Sequence, residues 1–246
     1  MVRARCPTRF ASDAYPARPG HGTLATIAPA KSEMSLTDSY YTNVRDEMLA
    51  FVPLNAANVL DIGCGAGAFG AALKRERGAK AVTGIELDCA AASAARSQLD
   101  SVLVGDVSTI LPDLRGQTFD VVVLNDVLEH LVDPEGLLNQ LHGCMTRDGR
   151  VVASIPNVRE FTNVRNLVLR GRWDYTDEGI LDRTHLRFYT RASLDGLFER
   201  GGFAVETVQG INRRTAASFI IFNIMTLGFF ADMGFLQYAC VARRQE

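Results

Sequence analysis

The sequence predicts an α/β fold in which a doubly wound, mostly parallel sheet of seven strands carries a lid insertion after strand five. Short apolar runs, typical of buried parallel strands, alternate with helical segments over most of the 246 residues. A turn with three glycines follows the first apolar run, at residues 63–67. The alternation is interrupted after Pro156, where about 34 residues separate the fifth strand from the next clear helix.

The first half of the chain contains four predicted strands and the helices between them. A short amphipathic helix is expected at 45–51, because Pro53 ends the pattern. Helices are also expected at 68–77 and, in an alanine-rich segment, at 89–97. The four strands are expected at 58–61, 81–86, 101–104 and 119–124. This order favours right-handed crossovers between parallel neighbours.

The second half begins with a helix at 133–145, which has a proline in its first turn, and a strand at 149–155. We interpret residues 156–190 as a lid on the acceptor side, because a long interruption inside a compact domain is usually functional. The lid is expected to contain a helix at 158–169. The remaining elements are a helix at 191–200, strands at 203–208 and 235–242, and an apolar helical insertion at 211–234.

Composition indicates one sizeable domain, with 47% hydrophobic residues and a net charge of −2. This charge shows no basic surplus, so nucleic acid is not predicted as a partner. Cysteines occur singly, without the spacing of a metal site or a disulfide framework, and we therefore expect a reduced, cytoplasmic compartment. Residues 1–33 are rich in Arg, Pro, Ala and Gly and are predicted to be a disordered tail before one domain at 34–246, with Met34 as an alternative to Met1 for the biological start.

The glycine turn indicates a ligand that lies against bare backbone. Gly63, Gly65 and Gly67 lack Cβ atoms, so the chain can turn sharply, adopt positive φ and approach a small molecule closely. Asp61 stands immediately before the turn, and a carboxylate at this place suits a ligand that carries an ammonium group. Ligands of open α/β sheets bind beyond the carboxyl ends of the strands, so the turn predicts the position of the site.

Polar residues follow the next three strands at the same predicted edge. Glu86 ends strand two, 19 residues beyond Gly67, where an acidic side chain can accept hydrogen bonds from a ribose diol. Gly105-Asp106-Val107 follows strand three, and Asn125 follows strand four.

A nicotinamide-binding protein is the alternative, because Gly63, Gly65 and Ala68 also satisfy the dinucleotide pattern. Asp61 and the third glycine count against a pyrophosphate ligand.

These motifs, in this order and spacing, resemble those of the class I S-adenosylmethionine-dependent methyltransferases over about residues 58–210. The resemblance implies S-adenosylmethionine as cofactor, with Glu86 on the ribose and Asp106 on the adenine amino group. It further implies that Leu87 and Val107 sandwich the adenine and that the backbone at Asn125 faces the methionine. The methionine end would be held by Asp61, Gly63, Cys64, Gly65 and Gly67. Tyr40 and Tyr41, ahead of the first helix, are expected to cap the cofactor pocket, or otherwise to serve as packing residues.

The acceptor side contains two histidines that could act as general base near neutral pH, His130 and His185. His185 lies in the lid, and the lid resembles that of bacterial methyltransferases of cell-surface polysaccharide and other glycoconjugate pathways. The predicted reaction is therefore O-methylation of a small molecule or sugar, with N-methylation as the nearest variant. A non-catalytic module that keeps the fold for binding or assembly is a further alternative, against which intact Asp61, Glu86 and Asp106 argue.

Asp126, Glu129 and His130 are similar to a Glu-x-x-Glu-His set that binds a divalent metal in some O-methyltransferases of the ubiquinone-biosynthesis and small-RNA types. Asp replaces the first Glu here, so our prediction is that no metal is bound, with a metal site as the alternative.

The apolar stretch at 216–231 is too short to span a bilayer. We interpret it as a buried or homodimer-interface helix, with attachment to a membrane surface as the minority alternative.

Overall fold

The computed structural model describes residues 44–214 and 216–245, and within these residues seven strands form a single sheet. The strands are β1 Asn58–Ile62, β2 Ala81–Glu86, β3 Ser101–Val104, β4 Phe119–Asn125, β5 Met145–Pro156, β6 Phe203–Arg213 and β7 Phe235–Arg244. Their order across the sheet is β3-β2-β1-β4-β5-β7-β6. Only β7 runs antiparallel to its neighbours within this sheet, which confirms the predicted fold class.

Helices connect the strands and cover both faces of the sheet. They are α1 Asp46–Leu49, α2 Ala68–Arg77, α3 Cys89–Ala95, α4 Val107–Ile110, α5 Pro134–Leu141, α6 Phe161–Arg170, α7 Arg191–Arg200 and α8 Ala217–Met225. Acidic residues set the starts of several helices, because a carboxylate satisfies the free N–H groups of the first turn. Asp88 accepts from the amides of Ala90 and Ala91, and Glu160 accepts from those of Thr162 and Asn163.

The central strands divide their side chains between two apolar cores. Val121 and Val123 of β4 pack on one face of the sheet, and Val122 and Leu124 pack on the other. Successive side chains of a strand point to opposite faces, so a strand that is apolar at every position must be covered on both sides. The Val-Val-Val-Leu run therefore places β4 at the centre of the sheet, next to β1. The strand order reverses there and opens a crevice at the carboxyl edge.

Two predicted boundaries differ because strand pairing continues beyond the local pattern. Strand β5 begins at Met145, so the Arg147-Asp148-Gly149 segment lies inside it, beside a register shift in its pairing with β4. Strand β6 extends to Arg213, which pairs with Phe235 of β7. The predicted insertion at 211–234 therefore starts about three residues later than expected.

The apolar segment at 216–231 forms α8 and a turn, and its burial differs from the expectation of a buried helix. Phe219 is the one buried side chain of α8. Among the residues that the structure describes, no helix combines the length and apolar character that crossing a bilayer requires. The dimer-interface interpretation stays a prediction.

Candidate functional site

A cavity of about 730 Å³ opens at the carboxyl edge of the sheet, between the ends of β1, β2, β3 and β4. This volume is in the range of small-molecule and cofactor pockets. Ten of the residues predicted from the sequence line it: Asp61, Gly63, Cys64, Gly65, Glu86, Leu87, Asp106, Val107, Asn125 and His130. The fold thus brings the ends of four strands, separated by up to about 60 residues in sequence, to one ligand site.

The glycine turn is held in place by β2. The amides of Gly63 and Cys64 donate to the Ile85 carbonyl at 2.8 and 3.2 Å, and the amide of Gly65 donates to Oε2 of Glu86 at 2.8 Å. Gly63 has a φ of +73°, and a Cβ there would lie 3.0 Å from Val127. A side chain at this position would therefore be strained and would press on the cavity wall.

Glu86 is buried and links the turn to the next loop. Its Oε1 accepts the amide of Asp88 at 2.9 Å while its Oε2 accepts that of Gly65. A carboxylate offers about four acceptor positions, so Glu86 can accept further hydrogen bonds from a ligand diol in the cavity. The same side chain therefore fixes the backbone and faces the predicted ribose position.

Asp61 is buried, with 2% of its surface exposed, and its Oδ2 has no hydrogen-bond partner among the described residues. Burial, and secondarily the charge of Glu86, raises the pKa of the Asp61 carboxyl group to about 7. A buried carboxylate without a partner is costly, and an ammonium group on a ligand would supply the missing partner. This observation is the strongest sign of the chemistry that the cavity binds.

The raised pKa predicts that binding of an ammonium ligand depends on pH. The ligand requires ionised Asp61, so binding below about pH 7 releases a proton, and affinity should rise up to about tenfold per pH unit towards pH 7 and then level off. Without ligand, the folded state holds this proton more tightly than the unfolded chain, so the free energy of unfolding should fall as pH rises from about 4 to about 7. Titration calorimetry of S-adenosylmethionine across this range measures the slope. The Asp61→Asn variant should lose the slope, and an unchanged slope would contradict the assignment.

The adenine end of the predicted site has two apolar residues and one acid. Leu87 is 70% exposed and Val107 is buried, and both line the cavity. Asp106 caps α4, since its Oδ1 accepts the amide and hydroxyl of Ser108 at 2.8 and 2.5 Å. The Asp106 carboxylate stays exposed and keeps acceptor capacity for a ligand amino group.

Two predicted residues of the turn have a packing role in the structure. Gly67 lies outside the cavity lining, and a Cβ there would stand 3.1 Å from the Cα of Ala95 in α3. Cys64 is buried, with its Sγ 2.5 Å from the place where a Cβ of Gly84 would lie, and burial raises the pKa of its thiol. Gly67 therefore allows α3 to approach, and Cys64 stays a thiol that fills the space above β2.

An ion pair that the sequence motifs did not indicate crosses one wall of the cavity. Arg45, ahead of α1, is paired with Asp126, whose Oδ1 also accepts from Ser154 and Gln237 at 2.9 and 2.7 Å. Arg45 and Asp126 both line the cavity. The predicted capping residues Tyr40 and Tyr41 lie outside the described residues.

His130 lines the cavity, and its ring contacts the segment that was predicted to be a lid. Its Nδ1 lies 3.3 Å from the carbonyl oxygen and 3.1 Å from the hydroxyl of Thr184, and that hydroxyl contacts Asp182 at 2.6 Å. A carbonyl only accepts, so this contact makes Nδ1 the donor and leaves Nε2 with a lone pair. Burial, and secondarily His185, lowers the pKa of His130, which keeps the ring neutral.

His185 does not line the cavity and lies behind His130. The two ring centroids are 4.7 Å apart, and Nδ1 of His185 is 3.0 Å from the Ile180 carbonyl. Glu129, 1% exposed, completes this group, and its two carboxylate oxygens have no hydrogen-bond partner among the described residues. One ligand-type atom from each of Glu129, His130 and His185 lies within 4.8 Å of the others. Burial raises the pKa of the Glu129 carboxyl group to about 8.

Comparison with known proteins agrees with this geometry, since a family model described as a methyltransferase domain matches residues 35–208. The chain belongs to the methyltransferase-domain family. The matched span includes the cavity residues from β1 to β4 and the lid of this methyltransferase. The predicted class I S-adenosylmethionine-dependent methyltransferase fold and family are thereby confirmed.

Curated relatives of the methyltransferase include a ubiquinone biosynthesis O-methyltransferase of Pseudomonas aeruginosa, 37% identical over 110 residues. That match covers 42% of this chain and 46% of the relative, so it spans less than half the length of that protein. A ubiquinone biosynthesis O-methyltransferase of Psychrobacter arcticus is 29% identical over 189 residues, covering 70% and 68% of the two chains. A crystal structure of a SAM-dependent methyltransferase from Archaeoglobus fulgidus has a TM-score of 0.58 at 21% identity, over 85% and 94% of the chains. At this identity the structural likeness shows the fold alone.

Arg45 and Thr184 are among the cavity residues that sequence reasoning missed. Arg45 stands in no motif, and its partner Asp126 lies 81 positions further along the chain. Thr184 is the neighbour of His185 in a segment that the sequence did single out. The sequence therefore indicated the segment that contains Thr184. It did not indicate the register of the lid, which decides which residue faces the cavity.

Proposed function

We propose that this methyltransferase transfers the methyl group of S-adenosylmethionine to an oxygen atom of a small-molecule acceptor. The observation that carries the proposal is the buried, unpartnered oxygen of Asp61 in a cavity that also contains Glu86 and Asp106. These groups fit the ammonium, ribose and adenine amino groups of the cofactor in the order of the strands. The relatives named O-methyltransferases support oxygen as the methylated atom.

Bound S-adenosylmethionine supplies an electrophilic methyl group on a sulfonium, whose departure leaves a neutral thioether. The protein then has to align an acceptor, exclude water and remove the hydroxyl proton. Asp61 pairs with the ammonium, Glu86 accepts from the ribose, and Leu87 and Val107 enclose the base. The backbone at Asn125 faces the methionine end.

His130 is the proposed general base. Its Nε2 carries the lone pair because Nδ1 donates to Thr184, and its lowered pKa keeps the ring ready to accept a proton at neutral pH. Thr184 and Asp182 hold the ring orientation and stabilise the imidazolium that forms. His185, which the sequence predicted as a base, is here a positioning residue because it packs on His130 and lies outside the cavity lining.

A thermal-shift panel tests the cofactor assignment. S-adenosylmethionine and S-adenosylhomocysteine at about 100 times their dissociation constants should each stabilise the protein by about 2.7 kcal/mol. NAD(P)H should not stabilise the protein, because the Asp61 carboxylate repels the negative charge of a pyrophosphate. Stabilisation by NAD(P)H alone would overturn the proposal.

The reaction is tested with the methyl-labelled cofactor and a panel of phenols, sugars, glycoconjugates and amines. Label on a hydroxyl acceptor is the expected result. Sugars and glycoconjugates belong in the panel because of the lid resemblance. Transfer to amines alone would contradict O-methylation, and cofactor binding without transfer to any acceptor class would favour the non-catalytic alternative.

A second candidate for the acceptor side is a divalent cation held by Glu129, His130 and His185. The two unpartnered oxygens of buried Glu129 favour it, because such groups in a native protein call for a partner. Both histidines have Nδ1 at a backbone carbonyl, which is the usual arrangement of imidazole ligands. Asp126, part of the sequence-level alternative, is engaged with Arg45 instead.

Metal analysis distinguishes the two candidates. If His130 is the base, protein dialysed against EDTA should retain full activity and contain no stoichiometric metal, as the sequence predicted. If the cluster holds a cation, Mn²⁺ should bind to the native protein and fail to bind to the His185→Ala variant, and activity should depend on it.

A further inference from the structure

Helices α6 and α8 carry an unusual concentration of exposed apolar side chains. Nine of the fourteen large apolar residues that are exposed in the described part of the chain belong to α6, α8 and the loop after α8. They are Leu167, Val168, Leu169, Ile220, Ile221, Ile224, Met225, Leu227 and Phe229, and we call them the α6–α8 surface. Single exposed apolar residues are ordinary, whereas a contiguous group of this size usually contacts something.

Direct contacts join the two helices into one surface. The ring of Phe161 in α6 lies 5.5 Å from that of Phe219 and 5.2 Å from that of Phe222 in α8. Asn157, ahead of α6, donates to the carbonyls of Asp232 and Phe235 at 3.1 and 2.9 Å. The α6–α8 surface is therefore built on a fixed framework at the carboxyl edge of the parallel strands, the edge that also contains the cavity.

The two segments that carry this surface contain arginines and no acid. Residues 161–173 contain three arginines and no acid, and residues 211–231 contain two arginines and no acid. Three acids border these segments: Glu160 caps α6, Asp232 pairs with Arg159, and Asp174 pairs with Arg172, so this last pair takes up one of the five arginines. An apolar face within a basic rim is complementary to an anionic, apolar partner.

The loop after α8 directs its apolar side chains outward. Leu227 adopts a φ of +52°, a conformation that residues with side chains rarely take, and its side chain is 95% exposed. Phe229, two residues on, is 78% exposed. Exposure of Leu227 and Phe229 to water does not stabilise the folded chain. The loop tip is therefore suited to insertion into an apolar medium.

We propose that the α6–α8 surface docks on an anionic phospholipid bilayer, with the loop tip in the headgroup–acyl boundary and the arginines among the headgroups. A second copy of this chain is the less favourable occupant, because a symmetric dimer would place the same basic rim against itself. The bilayer supplies both the apolar interior and the negative charge that the surface lacks.

The test is flotation of the full chain with phosphatidylcholine vesicles and with vesicles that also contain phosphatidylglycerol. The native protein should float with the anionic vesicles. Raising the ionic strength from about 0.1 M to about 1 M, which shortens the Debye length from about 10 Å to about 3 Å, should weaken this binding. The Leu227→Ser/Phe229→Ser variant should bind at least about tenfold more weakly than the native protein.

The matched control is Leu54→Ser, because Leu54 is also well exposed, at 61%, but lies before β1 at the opposite edge of the sheet. It should float like the native protein. Both variants change exposed side chains, and unchanged S-adenosylmethionine stabilisation verifies that they fold. The proposal is overturned if native protein fails to bind anionic vesicles, or if the double variant binds equally well. A concentration-dependent dimer that the double variant abolishes, without vesicle binding, would identify a second copy as the occupant.

Discussion

Replacing Glu86 with alanine is expected to weaken S-adenosylmethionine binding about 100-fold. The carboxylate holds the amides of Gly65 and Asp88, so its loss leaves two backbone donors without their acceptor and removes the proposed acceptor for the ribose diol. Hydrogen bonds to a charged group are worth about 1.5–3 kcal/mol each, and about 3 kcal/mol in total corresponds to roughly this factor. Isothermal titration of the purified variant measures the change.

Glu160→Ala is the matched control for this measurement. Glu160 is also a buried carboxylate that accepts two backbone amides, but it caps α6 and lies outside the cavity lining. Both variants should unfold at lower temperature than the native protein, and the Glu160 variant should keep its cofactor affinity. Equal losses of affinity in the two variants would show that Glu86 acts through stability alone and would remove its assigned contact with the ribose.

Replacing His130 with alanine is expected to lower turnover by about 100-fold or more while cofactor affinity stays close to that of the native protein. A positioned general base contributes about 10²–10⁴ in rate, and His130 lines the cavity with its Nδ1 held by Thr184. Methyl transfer under saturating cofactor measures kcat, and titration measures the affinity. In native protein kcat should fall as pH drops through the lowered pKa of His130, because protonation removes its lone pair.

His142→Ala controls for the loss of an imidazole as such. His142 also has a lowered pKa and contacts a backbone carbonyl, that of Gly201 at 3.1 Å, but it lies outside the cavity lining. The His142→Ala variant should be less stable than the native protein and should keep the native kcat. Normal turnover in the His130 variant would refute the base assignment.

The cavity lining at the ends of β1 to β4 was predictable because its polar residues follow from a local rule. Asp61, Glu86 and Asp106 stand at strand ends, and parallel strands bring their carboxyl ends to one edge whatever the connecting helices are. Strands β2 and β3 have the predicted boundaries for a related reason. Both are short apolar runs between clear turns, so periodicity alone delimits them.

Features that depend on distant partners were not predictable in the same way. Strand β6 is longer than its apolar pattern because β7 supplies pairing partners up to Arg213, and no property of residues 209–213 requires this. Arg45 enters the cavity because Asp126 attracts it across the fold. His185 was singled out from its sequence context, yet packing turned it towards His130 and placed Thr184 at the cavity. A shift of one residue in the register of the lid decides whether His185 or Thr184 lies at the cavity, and the local sequence does not determine that register.

Hydrogen bonds between the predicted lid and the segment after β4 have a consequence for hydrolysis of the methyl donor. The amides of Leu186 and Arg187 donate to the carbonyl of Glu129, and Thr184 of the same segment orients His130. Under the proposed mechanism, movement of this segment to admit an acceptor would break these contacts together, and His130 would lose its alignment when water can enter. We therefore expect the protein to hydrolyse its own methyl donor slowly while this segment is open. The contacts that hold the segment against Glu129 would be lost together with the contact that orients His130.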